Sequence, residues 1–136
     1  MATLIDPEFR ARLAALGDKY AAGVPALLDA IGRGLARCQA DGLSADTGAA
    51  LHKALHAVAG SAGTFGFGAL GAECRSLEHA LRSLLDGLAE GLQAQPNAHA
   101  DVVGWPALAR QVEDLLRRAA SDPKDLAPPA TAALHV

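Results

Sequence analysis

At 136 residues, with 51% apolar but only 4% aromatic side chains, the chain has room for one domain whose interior is built mainly from leucine, alanine and valine. That palette favours helices packed on helices over a sheet, which would draw on β-branched and aromatic residues. The net charge is −3, from 12 basic and 15 acidic side chains, and no basic cluster stands out, which argues against nucleic acid as a partner.

Asp6-Pro7-Glu8 is a helix start: a capping aspartate, a proline in the first turn and an acidic follower. Phe9, Leu13 and Leu16 follow at helical spacing, and Gly17 is placed to end this short N-terminal helix. A second helix is expected from Gly23 to Ala40, with Pro25 in its first turn and Leu27, Leu28, Ile31, Leu35 and Cys38 on its apolar face. Asp41-Gly42 ends it, and Ser44 or Asp46 caps the next helix, which carries His56.

Between Gly60 and Gly68 the glycines at 60, 63, 66 and 68 punctuate the chain and predict a turn, with Phe65 and Phe67 anchoring it to the core. A long helix then runs from Ala69 to Leu92, its face lined by Leu70, Cys74, Leu77, Leu81, Leu84, Leu85, Leu88 and Leu92. Gln93 to Gly104, with Pro96-Asn97, is a polar connection, and Trp105-Pro106 opens a last helix with Leu108, Val112, Leu115, Leu116 and Ala119 inward. After Ser121 the prolines at 123, 128 and 129 end the periodicity, so residues 122–136 read as a disordered tail or linker behind a 1–121 domain. The expected fold is all-α: an up-down antiparallel four-helix bundle with a short additional N-terminal helix.

The stretch His56-Ala57-Val58-Ala59-Gly60-Ser61 departs from a plain amphipathic pattern. On a wheel of about 100° per residue starting at Leu51, Ala54, Leu55, Val58 and Ala62 fall within roughly 60° of zero and form the buried stripe. His56 lies at about 140° and Gly60 at about 180°, both away from it. A glycine inside a helix costs about 1 kcal/mol relative to alanine, so its place beside an exposed imidazole marks cleared space for another macromolecule.

Other chemistries fit the residues less well. His52 and His56 stand four apart and could share a metal, but the zinc-protease glutamate is missing between them, and a third ligand would have to come from Glu78, His79 or elsewhere. Ser61 lacks a nucleophile elbow and is misaligned with His56 for hydrolysis. Cys38 and Cys74 fall on apolar stripes and read as buried, reduced thiols. His79, His99 and His135 read as solvated, and Glu78 reads equally as a surface charge or a site acid. The first ten residues do not resemble a signal peptide, and no apolar run approaches the ~18 residues of a membrane span, so a cytoplasmic protein without a membrane partner is expected.

His56-Ala57-Val58-Ala59-Gly60-Ser61-Ala62, followed by Gly66, Ala69-Leu70, Cys74 and Leu77-Glu78, resembles the signature of the histidine-containing phosphotransfer (HPt) domains of bacterial two-component phosphorelays. The resemblance extends over most of the chain. It implies that His56 accepts a phosphoryl group from a receiver-domain aspartate and passes it to another receiver, with His52, Lys53, Ala59, Gly60 and Gly63 contributing to docking. The implied partners are receiver domains of response regulators or hybrid histidine kinases, and the chain is expected to act as a monomer. No cofactor is expected on this chain; the divalent metal belongs to the receiver. No nucleotide-binding motif appears, so the chain is not itself a kinase. One position departs from the family: Ala59 stands where Lys or Arg is usual, and Lys53, at about 200° on the wheel, is the candidate replacement cation. The alternative is a degenerate HPt bundle that docks a signalling partner without carrying phosphate.

Overall fold

The computed structural model describes residues 6–94 and 103–128, with the side chains of 92–94 excepted. Four α-helices and one 3-10 turn make up the described chain: α1 (Pro7–Asp41), α2 (Ala45–Ser61), the 3-10 turn Ala62–Phe65, α3 (Gly68–Ala94) and α4 (Trp105–Ser121). Contacts between neighbours fix an up-down antiparallel order. Cys38 Sγ donates to the Thr47 carbonyl at 3.3 Å while Tyr20 Oη meets Ser61 Oγ at 2.9 Å, so α1 and α2 run oppositely. Glu78 reaches His56 and Arg75 reaches Ala59, which does the same for α2 and α3. Arg118 on α4 meets Glu73 on α3.

The core is the expected leucine-rich seam. Ile31, Leu51, Leu55, Leu81, Val112 and Leu115 are 0% exposed, and burial of each contributes about 1.5–3 kcal/mol. Leu70, Cys74 and Leu77 complete the inner face of α3, and Phe67 is buried while Phe65 packs at the margin, so the aromatic pair does anchor the turn. Both thiols are free and buried. Two helix crossings need the absence of a side chain. A Cβ on Gly48 would stand 2.3 Å from Leu85 Cδ2, and one on Gly34 would stand 3.0 Å from the Leu51 Cα. These glycines let α2 seat closely on α3 and α1.

The helix ends follow local chemistry. Asp6 Oδ1 accepts from the Phe9 amide at 2.7 Å. Ser44, not Asp46, caps α2: its hydroxyl accepts from the Thr47 amide at 3.2 Å, and Thr47 Oγ1 accepts from the Ser44 amide at 2.9 Å. Gly66 turns the chain into α3 with φ +90, a conformation that side-chain-bearing residues rarely adopt.

Three expectations need correction. The N-terminal helix is not separate: α1 passes through Gly17 and Pro25 without a break, because Gly17 takes no left-handed φ and Val24 and Ile31 are locked into the core on either side of the proline. Its first turns run beyond the bundle, leaving Phe9, Leu13 and Leu16 47–49% exposed. The long helix extends through Gln93 and Ala94. Residues 122–128 are held against the bundle rather than trailing from it: Asp122 Oδ1 accepts from the amides of Lys124 and Asp125, Leu126 packs on the core, and Arg118 Nη1 donates to the Ala127 carbonyl at 2.6 Å. Pro96-Asn97, His99, His135 and the chain after Pro128 lie outside the described residues. Among the described residues no helix is long and apolar enough to cross a membrane.

Arg118 staples this end of the bundle. Its guanidinium is 8% exposed and forks onto both Glu73 oxygens at 2.6 and 2.7 Å, while Nε donates to Asp114 Oδ2 at 2.7 Å. The hydrogen bond to Glu73, and then that to Asp114, hold the guanidinium charged against the opposing effect of burial.

Candidate functional site

The apolar face of α2 dictates where His56 points. Leu51, Leu55 and Val58 are each 0% exposed, and the opposite side of the helix is thereby turned outward with the imidazole of His56 68% exposed. The ring does not hang free. Its Nδ1 lies 2.5 Å from Oε1 of Glu78, a side chain only 9% exposed and projected from the facing turn of α3. A carboxylate only accepts hydrogen bonds, so in the neutral ring this contact places the proton on Nδ1 and leaves the lone pair at Nε2. One nitrogen of the ring is thus held by a carboxylate while the side chain as a whole stays largely exposed.

His52 sits one turn earlier with its side chain 17% exposed, and its Nε2 is 3.5 Å from the same Glu78 oxygen. The two imidazoles stack with centroids 6.1 Å apart and planes 10° from parallel. Burial pushes the His52 value below its usual 6.5, Arg82 pushes it the same way, and Glu78 opposes both. His52 therefore fills space beside Glu78 and is biased toward its neutral form. Cys74, buried on α3, is pushed up to about 12, chiefly by burial, and is inert as a thiolate.

The expected docking residues separate into two groups. Lys53, Gly60 and Gly63 are exposed around His56, and a Cβ on either glycine would meet nothing within 4 Å. The glycine at 60 thus serves no packing within the described chain. Lys53 lies on the α1 side, bordering a groove with Arg33 and Arg37. His52 and Ala59 turn inward toward α3, with Ala59 only 6% exposed. His79 is exposed, as anticipated. Ser61 donates to the Ala57 carbonyl at 2.7 Å and pairs with Tyr20. Among the described residues no trio of His, Cys, Asp or Glu side chains could hold a metal ion.

Glu78, open in the sequence between a surface charge and a site acid, takes its place from the register between α2 and α3. Arg75 is not marked by the sequence pattern: it donates from Nη2 to the Ala59 carbonyl at 2.9 Å. The spacing Arg75-x-x-Glu78, one turn apart on the helix facing His56, was the available signal.

No curated protein and no solved structure matches the chain. The family model of the Hpt domain matches residues 15–122, which take in α2, the turn, α3 and α4 whole and most of α1. With a solvent-facing histidine at the centre of that span, the chain belongs to the Hpt domain family.

Proposed function

We propose that His56 is the phosphoacceptor of a multistep phosphorelay, taking a phosphoryl group from the aspartyl phosphate of one receiver domain and delivering it to the aspartate of another. The observation that carries this reading is an imidazole that is 68% exposed while its Nδ1 is held 2.5 Å from Glu78. In the forward step the Nε2 lone pair forms the P–N bond as the P–O bond to the receiver aspartate breaks, and that electron pair leaves with the aspartate carboxylate. The ring gains positive charge, and its Nδ1 proton stays where the Glu78 carboxylate offsets that charge. Delivery to the second receiver is the same step reversed. The divalent metal comes from the receiver, while this chain supplies an oriented nitrogen and a surface that is open at Gly60 and Gly63. On this reading the chain works as a monomer in the bacterial cytoplasm.

The test is incorporation of acid-labile, alkali-stable phosphate from a phosphorylated receiver. Wild type should be labelled and His56→Gln should not, with the same thermal unfolding midpoint for both. Absence of label in wild type across several receivers would replace the relay with a docking-only bundle.

A further inference from the structure

We propose that Arg75, on α3, supplies the phosphate-neutralising cation that Ala59 lacks on α2. The proposal rests on the phosphoacceptor reading of His56.

The register that sets Glu78 against His56 sets Arg75, one turn earlier on α3, against Ala59, one turn later on α2. Ala59 is turned toward α3, and its small side chain leaves room for the guanidinium to cross the helix boundary and donate to its carbonyl at 2.9 Å. That carbonyl lies in the last turn of α2, where the chain tightens into the 3-10 turn. Arg75 is therefore parked on a neutral acceptor rather than committed to a carboxylate. Arg118 on α4 shows the contrast: it is tied to Glu73 and Asp114 together. A basic side chain at position 59 would have to share the space Arg75 uses, so alanine at 59 and arginine at 75 form one arrangement.

Arg75 is parked on the carbonyl of Ala59, three residues after His56 on α2, so a phosphoryl group on the His56 ring would present its anionic oxygens on the neighbouring turn. The guanidinium has five N–H donors, so it can turn toward those oxygens or span carbonyl and phosphoryl together. It gives no proton and breaks no bond. It neutralises charge on the transferring group while the P–O bond to the aspartate and the P–N bond to Nε2 exchange. Glu78 balances the ring and Arg75 balances the phosphoryl group, from adjacent turns of the same helix. Lys53 is on the other flank, next to Arg33 and Arg37 in the α1–α2 groove, and is the contrasting cation.

The experiment measures phosphoryl transfer between phosphorylated receiver and full-length chain at rising receiver concentration, so that the rate at saturation and the docking affinity separate. Arg75→Gln keeps an N–H donor for the Ala59 carbonyl and removes the charge, which guards against simple loss of folding. Its saturating rate should fall about tenfold with docking affinity unchanged. Arg75→Lys should retain most of the rate, and adding Ala59→Lys to Arg75→Gln should restore it. An Arg75→Gln protein with wild-type rate at saturation, or one altered only in affinity, would overturn the proposal. So would Lys53→Ala slowing transfer where Arg75→Gln does not. Failure of wild type to accept phosphate would instead strike the phosphoacceptor reading itself, so the two failures are distinguishable.

Discussion

Two carboxylates on α3, five residues apart, have different fates. Glu73 is used up: Arg118 occupies both of its oxygens, Asp114 and the Ala127 carbonyl accept from two more of the guanidinium N–H groups, and the cluster ties α3, α4 and the following segment together. Glu78 is also mostly buried, but its partner is a ring that remains 68% exposed. The first cluster satisfies every charge internally and has nothing left to offer a ligand. The second holds one nitrogen of a histidine and leaves the other free. Burial and ion pairing alone therefore do not mark a functional site; the unpaired edge of the partner does.

That contrast is open to direct attack. The largest effect is expected at the closed cluster: Arg118→Met should lower unfolding free energy by about 3 kcal/mol, since it leaves Glu73 unpaired at a partly buried boundary and Asp114 with Arg117 alone. Urea denaturation reads the loss, and transfer at a temperature where the variant is folded should be unchanged. At the open site the pattern should invert. Glu78→Ala should slow transfer by about 10–100-fold, by analogy with other carboxylates that orient a histidine from behind, while costing less stability than the Arg118 change. Equal stability losses at the two sites with transfer intact would erase the distinction.

Gly60→Gln sharpens the comparison from the partner's side. Nothing within 4 Å opposes a side chain at Gly60, so stability should stay within about 1 kcal/mol of wild type and shift upward, while affinity for the receiver falls. A calorimetric titration with receiver checks it. The smallest effect is the pH response of His52. Folding lowers its value below 6.5, so as pH falls the unfolded chain takes up the proton first. Its contribution is fully present above the unfolded value and is lost as pH falls toward the lowered folded value. Denaturation midpoints between pH 7.5 and 5 should decline less steeply in His52→Gln than in wild type.

Much of the fold was legible because its signals are local. Asp6-Pro7, Ser44 with Thr47, Gly66 and Trp105-Pro106 act through their own neighbours, and the leucine spacing of α3 needs only a helical period. Gly17 misled because a glycine marks a helix end where the backbone turns left-handed, which it does not do here, and burial of Val24 and Ile31 further on keeps α1 continuous past both Gly17 and Pro25. At the site, the exposure of His56 and the cleared space at Gly60 follow from the wheel. Glu78, Arg75 and the Arg118 cluster do not, because each depends on which turn of one helix faces which turn of another. That register is set by close contacts such as Gly48 on Leu85 and Gly34 on Leu51, which no single helix displays in its own sequence.

The central claim is that Glu78 holds Nδ1 and frees Nε2 of His56 for phosphorylation. One-bond nitrogen–phosphorus coupling in the ¹⁵N-histidine-labelled, phosphorylated chain tests it most directly. The account predicts phosphorus bonded to Nε2 of His56, with a proton retained on Nδ1. Phosphorus on Nδ1, or on His52 or His79, would contradict it.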